Sequence, residues 1–177
     1  MTDSPPIASG ERLILSPFAE SDITVDYVRW LNDPAVVRFS NQRFRNHDVQ
    51  SSLAYLRSFA GSENLFVAIR TLHEHRLIGT MTAYVSRQHE TVDMGLLIGD
   101  RSLWGRGLGL EAWSLLMYHM LQAGKCRKIT AGALRGNVGM VRIMERSGML
   151  LEAERKQQEL VDGEPQDLLY FAKFRPH

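Results

Sequence analysis

The segment Trp104-Gly105-Arg106-Gly107-Leu108-Gly109-Leu110-Glu111 has the clearest potential for chemistry in this chain. Its three glycines let the backbone turn its amides toward a ligand with no Cβ in the way. A strand-like run, Thr91 to Ile98, lies just before it, and a strongly helical run, Leu110 to Leu121, follows. The unpaired N–H groups and the positive dipole end of that helix therefore point at the same spot. Strand, glycine turn and helix together predict an anion pocket, with phosphate as its expected occupant. The plainer reading, a loop that only turns the chain, fits a single glycine better than three in this setting. A Walker A loop is excluded, because no lysine or hydroxyl stands between Gly105 and Ala112 to reach phosphate and magnesium. Gly107-Leu108-Gly109-Leu110-Glu111-Ala112 matches the dinucleotide pattern GxGxxA, but its context does not. Asp100 to Trp104 separate the glycines from the strand, and the next strand ends in Leu134-Arg135-Gly136-Asn137 with no acid for a ribose.

Other candidates are weaker. His73, His75 and His89 fall in turns, and no third ligand follows at a spacing that would hold a metal, so no metal is expected. Cys126 has no histidine at a readable spacing and reads as a small core residue. Arg106 could reach a phosphate or be solvated. Asn137 opens a helix and is a good N-cap. In Asn41-Gln42-Arg43-Phe44-Arg45, two guanidinium groups suit a diphosphate, although a solvated basic loop fits the same residues.

With nucleotide and P-loop geometries set aside, the chain resembles the GNAT acetyltransferase superfamily. That family's motif A is a strand followed by Arg/Gln-x-x-Gly-x-Gly/Ala opening a helix, and Trp104 to Gly109 fits it except at the first position, where Trp104 stands. The Trp-Gly-Arg/Lys-Gly variant is similar to the branch that holds ribosomal-protein N-terminal acetyltransferases and several amino-sugar acetyltransferases. The likeness runs from Glu11 to about Phe174.

The resemblance implies acetyl-coenzyme A as co-substrate and a small-molecule amine as acceptor. It implies pantetheine lying along Leu97 and Ile98, pyrophosphate held by the backbone of Gly105, Arg106, Gly107, Leu108, Gly109 and Leu110, and Trp104 among the cofactor-binding residues. Asn137 would contact the coenzyme. Asp93, on the strand before the glycines, could take the ammonium proton; the alternative is an exposed acid paired with a neighbouring strand. Asn41, Arg43 and Arg45 would bind the acceptor, because Trp30-Leu31-Asn32-Asp33-Pro34 and Asn41-Gln42-Arg43 resemble the branch acting on amino-sugar nucleotides. Two further positions depart from the family. Met140 stands where Ser or Ala is frequent, and Met144 stands where a tyrosine usually protonates the departing thiolate. A thiol near pKa 8.5 leaves tolerably without that help. The competing readings are O-acetylation or another acyl donor, N-terminal protein acetylation, and a non-catalytic acyl-coenzyme A-binding module, with a nicotinamide oxidoreductase last.

These residues need elements to position them. Arg12 to Leu15 reads as a strand closed by Ser16-Pro17. A helix capped by Ser21 or Asp22 runs through Leu31, and Ala35 to Phe39 adds a turn. A second helix, capped by Asp48, ends at Gly61. Strands follow at Leu65–Ile69, Leu77–Val85 and Thr91–Ile98, with Gly95 marking a bulge or a close approach. The long helix stops at Gly124; a strand spans Lys128–Leu134, and a helix runs from Asn137 to Gly148. A hairpin, Leu150–Val161 and Asp167–Phe174, turns at Asp162-Gly163. The order β-αα-βββ-α-β-α-ββ predicts an α/β fold in one domain over residues 1–177, a mixed sheet of about seven strands flanked by about four helices. Residues 1–10 read as a loose lead without a signal peptide's basic start and apolar core.

A formal net charge of +1 gives no electrostatic basis for binding nucleic acid or an anionic membrane. No apolar run nears the ~20 residues of a membrane span. One cysteine permits no internal disulfide, which agrees with a cytoplasmic location. A homodimer is compatible with all of this.

Overall fold

The structure, a computed structural model, describes residues 5–122 and 126–176. Among these residues eight strands form one sheet: β1 (Ala8–Ser9), β2 (Leu13–Pro17), β3 (Leu65–Thr71), β4 (Leu77–Ser86), β5 (Thr91–Ile98), β6 (Lys128–Leu134), β7 (Leu150–Val161) and β8 (Glu164–Phe174). Five α-helices accompany them: α1 (Val25–Leu31), α2 (Pro34–Val37), α3 (Val49–Arg57), α4 (Leu108–Gln122) and α5 (Val138–Arg146). The spatial order is β1-β2-β3-β4-β5-β6-β8-β7. Every neighbouring pair is antiparallel except β5 and β6.

Alternation along the strands sends side chains to two cores. On one face Leu13, Leu15, Val67, Ile69, Met81, Val92 and Ile129 pack against α4 and α5. Helix α4 meets them with Ala112, Trp113, Leu116, Met117 and Met120, a spacing that keeps one stripe inward over three turns. On the other face Phe66 and Ala68 pack with Phe18, with Tyr27 and Leu31 of α1, and with Phe59 just past α3. Aromatic rings dominate this smaller core; Phe66 stacks on Phe18 at 4.3 Å and on Phe59 at 5.2 Å between centroids.

Several expectations need correction. The lead is not wholly loose, because Ala8–Ser9 pairs with Ile14 and Leu15 and supplies the eighth strand. Pro34–Val37 is a short α-helix, started by Pro at its first turn and capped by Asp33. Thr24, rather than Ser21 or Asp22, caps α1 by accepting from Tyr27 N at 3.2 Å. Asp22 is instead buried, accepting from Ala19 N and pairing with Arg70. Helix α3 stops at Arg57, and Gly61 follows a further turn with φ +72°. Helix α4 begins two residues earlier than its apolar pattern indicates, and β8 begins at Glu164. The β4–β5 register is unbroken at Gly95, so there is no bulge; a Cβ there would lie 2.8 Å from Thr82 Oγ1, which makes it a close approach. Gly124 lies outside the described residues.

One feature of the sheet decides where a ligand can enter. β5 pairs with β6 only at Thr91–Asp93 against Lys128–Thr130. Beyond Asp93 the two parallel strands part, and the β5 backbone as far as Ile98 keeps a strand partner only on its β4 side.

Candidate active site

A cleft of about 840 Å³ opens where β5 and β6 part. Its walls come from both faces of the sheet. On the α4 side it is bounded by the glycine turn and the start of α5; on the α1–α3 side it reaches the aromatic core.

The glycine turn is built as its residue types require. Gly105 and Gly107 have φ of +73° and +79°, a region that costs a side-chain-bearing residue steric strain. Glu111 N donates to Gly107 O at 3.1 Å, closing the first turn of α4. The amides of Leu108, Gly109 and Leu110 precede that bond and have no intrahelical acceptor, so they are available at the positive end of the helix. All three residues line the cleft. Gly109 packs against α5; a Cβ there would sit 3.0 Å from Ile143 Cδ1.

Neighbouring groups fix the turn in place. Arg12 on the β1–β2 connection donates from its backbone to Glu111 Oε1 (2.8 Å), from Nε to Oε2 (2.7 Å), and from a terminal nitrogen to Arg106 O (2.9 Å). The Trp104 indole N–H donates to Ile98 O at 2.8 Å, which gives the unusual first residue of the motif a role: it ties the loop to the end of β5. The spacer that spoiled the dinucleotide pattern is a 3₁₀ turn, Arg101–Leu103, capped by Asp100. Ser102 and then Arg76 bind the Asp100 carboxylate and hold its pKa below the usual range.

Asn137 caps α5 by accepting from Met140 N at 3.2 Å, and it lines the cleft. One turn further, Arg142 and Arg146 stand four residues apart on the same helix face, both exposed and both lining the cleft. Among the described residues they are the only charged ones of the lining, and no carboxylate is among the lining residues. Met144 is fully buried in the larger core, so the place of the missing tyrosine is filled by packing.

Across the gap the lining changes character. Tyr27, Leu31, Tyr55, Phe66, Thr80 and Thr82 come from α1, α3, β3 and β4. Burial pushes the Tyr27 and Tyr55 phenols above the usual range, so both remain neutral. Tyr55 Oη lies 2.7 Å from Tyr84 Oη. Val36 and Phe39 extend the apolar wall from the α2 region, with Ser40 and Gln42 at its end.

Of the residues singled out by the sequence, Leu97, Ile98, Trp104, Gly105, Gly107, Leu108, Gly109, Leu110 and Asn137 meet in this cleft. Arg106 is exposed and does not line it. Asp93 does not line it either. Its carboxylate accepts from Thr130 Oγ1 at 2.8 Å and sits opposite Tyr84 in the β4–β5 register. Asp93 is an exposed residue; partial desolvation of its carboxylate raises its pKa, and the Thr130 bond offsets part of that rise.

Asn41, Arg43 and Arg45 are not brought to the cleft. Arg43 lies over the Phe44 ring at 4.3 Å and donates to Ser40 O (2.8 Å) and Leu160 O (3.0 Å). Arg38 binds Asp162 at 2.9 Å. The basic loop is thus latched to the tip of the β7–β8 hairpin, a long-range contact that local sequence does not display. Sequence reasoning missed Arg142 and Arg146, for which i,i+4 spacing on the helix after Asn137 was the available signal. It also missed Tyr55, Thr80 and Thr82, for which no signal was readable.

Among the described residues no cluster of His, Cys, Asp and Glu could hold a metal ion, and no helix is long and apolar enough to cross a membrane. Cys126 is buried and desolvation raises its thiol pKa, as suits a core residue.

A family model described as an acetyltransferase (GNAT) domain matches residues 12–150. A probable N-acetyltransferase of Bacillus subtilis (strain 168), YjcK, is 26% identical over 116 residues, which is 64% of this chain and 64% of that protein's length. Among solved structures, the ribosomal-protein α-N-acetyltransferase RimL in complex with coenzyme A superposes with a TM-score of 0.83 at 16% identity, covering 96% of this chain and 98% of that one. The spermidine N-acetyltransferase of Vibrio cholerae, in complex with coenzyme A and spermine, superposes with a TM-score of 0.81 at 13% identity, covering 92% and 95%. At these identities the superpositions speak for the fold.

Proposed function

The chain belongs to the GNAT acetyltransferase family, and from that premise we propose that it transfers the acetyl group of acetyl-coenzyme A to a primary amine. The observation that carries this reading is the junction of two anion- and amide-binding features in one cleft. The first-turn amides of α4 open onto it, and so does the edge of β5 left free where β6 diverges. The pyrophosphate would lie against Leu108, Gly109 and Leu110, where helix N–H groups and dipole favour negative charge. The pantetheine amides would pair with the β5 edge as an added strand. Arg142 and Arg146 offer unopposed guanidinium groups to the remaining phosphate charge.

In this mechanism the neutral amine nitrogen attacks the thioester carbonyl carbon and a C–N bond forms. A β5 amide near Leu97 stabilises the oxyanion. The tetrahedral intermediate collapses, the C–S bond breaks, the acetylated nitrogen gives its extra proton to water, and coenzyme A leaves as a thiolate that takes a proton back from water. The ammonium must first lose a proton. We propose Asp93 as the terminal acceptor, reached through hydroxyls and water, since it does not itself line the cleft. Tyr55 lines the cleft, its hydroxyl meets that of Tyr84, and Tyr84 stands opposite Asp93 in the β4–β5 register.

Two readings of the acceptor compete, along with one that has no acceptor at all. An amino-sugar nucleotide rested on Arg43 and Arg45, which the fold commits elsewhere or leaves outside the cleft. A protein N-terminus needs an open groove, and the likeness to RimL is one of fold. A non-catalytic acyl-coenzyme A-binding module remains the alternative to an enzyme, because Met144 supplies no acid. Release of coenzyme A thiol across a panel of amines, with calorimetric binding of acetyl-coenzyme A in parallel, separates them. Binding with no turnover on any amine would replace the enzyme by the module.

A further inference from the structure

Resting on that acetyl-transfer reading, we infer that the acceptor is a small monoamine with an aromatic or apolar body and no second charge. The first observation is an absence of countercharge. A diamine or polyamine keeps cationic groups after its reacting amine has deprotonated, and a buried cation needs a carboxylate or water. Among the described residues the cleft lining has no Asp or Glu, and its two charges are both positive. A second ammonium would be desolvated there with no carboxylate to pair with.

The second observation is the surface offered to the acceptor. Tyr27, Leu31, Val36, Phe39, Tyr55 and Phe66 provide rings and branched chains from four separate segments. An apolar body gains from burying area against them, and a single ammonium gains from ring faces while waiting to lose its proton. Desolvation there lowers the amine's own pKa and favours the neutral form that attacks. This also fits the placement of Asp93 outside the lining: the cleft lowers the demand on a base instead of supplying one at contact.

The third observation concerns anionic acceptors. The cations that could hold a second diphosphate, Arg43 and Arg45, stay outside, while Arg142 and Arg146 stand at the α5 end, where the donor's phosphates are placed. The polar atoms at the acceptor end are neutral hydroxyls and the amide of Gln42, which can orient a phenol or hydroxyl but cannot balance a phosphate.

The test uses the full-length protein and four probes: tyramine, spermidine, a nucleotide-linked amino sugar and a free N-terminal tetrapeptide. Turnover is read as coenzyme A thiol release, and amine binding is read by calorimetry on the protein saturated with coenzyme A, which needs no turnover. The inference expects tyramine to exceed each of the others at least tenfold in kcat/KM and in affinity. Gln42→Glu, which adds a carboxylate to the acceptor end, should narrow the gap between spermidine and tyramine by about tenfold while acetyl-coenzyme A affinity stays unchanged. A preference for spermidine, for the nucleotide or for the peptide in either readout overturns the inference and leaves acetyl transfer standing. Selective tyramine binding without thiol release from any amine would keep the acceptor class and sink the enzyme reading.

Discussion

The two ends of the cleft are made of different material. The end nearest α4 is made of backbone: two glycines with positive φ, three first-turn amides, a strand edge and an N-cap. The opposite end is made of side chains drawn from α1, the α2 region, α3, β3 and β4. Backbone donors present the same geometry whatever side chains surround them, so such a site tolerates sequence drift everywhere except where a Cβ would intrude. A site of side chains behaves the opposite way, because each substitution changes its shape and polarity. One end of this protein is therefore suited to an unvarying ligand and the other to a variable one.

Valine at Gly107 gives the largest expected effect and strikes the backbone end alone. Its φ of +79° is strained for a β-branched residue, and the turn would reshape and withdraw its amides. Losing two or three hydrogen bonds to a charged group, each about 1.5–3 kcal/mol, corresponds to a loss of roughly a hundredfold or more in acetyl-coenzyme A affinity. Gly109→Val is the companion, with no φ strain but with methyl groups pressed toward Ile143 and into the cleft. Calorimetry on protein that retains its circular dichroism and thermal transition checks both. Unchanged affinity in a folded Gly109→Val protein would mean that the helix start is not the phosphate site.

The same contrast explains what the sequence could and could not reveal. Gly105, Gly107, Gly109 and Asn137 were legible because backbone conformation and capping leave marks at fixed short spacings. Strands β3 and β4 were legible because both their faces are buried and their apolar runs are long, and β5 and β6 because Val92 and Met94, and Ile129, Ala131 and Ala133, alternate along one buried face. The two-residue β1 was not, since its pairing depends on where the chain returns and hardly on its own residues. Asp22 and Thr24 compete locally as caps, and the choice is settled by Arg70, forty-eight residues away, which draws Asp22 inward. Tyr55 and Phe66 are ordinary apolar-face residues until the folded sheet opens beside them.

Replacing Asp93 by Asn tests whether the two ends share a proton path. Loss of a general base typically costs about 10²–10⁴-fold, but an acceptor acting through intervening hydroxyls should cost less, on the order of 10–100-fold in kcat. Acetyl-coenzyme A affinity should hold. The raised pKa of Asp93 means that its base form is lost as pH falls from a point above the ordinary carboxylate range. The wild-type acid limb should lie correspondingly high, and the mutant's deficit should shrink at alkaline pH as the amine deprotonates in solution. A deficit constant with pH would remove Asp93 from the proton path.

Arg142→Ala and Arg146→Ala sharpen the view of the donor end by adding side chains to it. Both arginines are exposed, so screening limits each to a few-fold to tenfold in acetyl-coenzyme A affinity. If they bind the ribose phosphate, the loss should vanish when dephospho-coenzyme A is the ligand, and it should diminish with added salt. Equal losses for both ligands would move the arginines to the pyrophosphate instead.

The smallest effect is expected where the sequence pointed most directly to an acceptor. Arg43 holds Leu160 O and Ser40 O and is largely covered, so Arg43→Ala should destabilise the protein by about 1–2 kcal/mol, read as a lowered Tm. Arg45 is exposed and away from the cleft, and Arg45→Ala should fall within about 0.5 kcal/mol of wild type. Neither guanidinium lines the cleft, so the double substitution should leave acetyl-coenzyme A parameters within about twofold. Any change in amine KM should follow the Tm, because the latch positions Phe39, Ser40 and Gln42 only indirectly. The comparison between the two ends breaks if the double variant, still folded, selectively raises KM for a nucleotide-linked amino sugar at least tenfold. The acceptor end would then carry its own charged phosphate site, supplied by a loop that swings from the β7–β8 hairpin to the cleft.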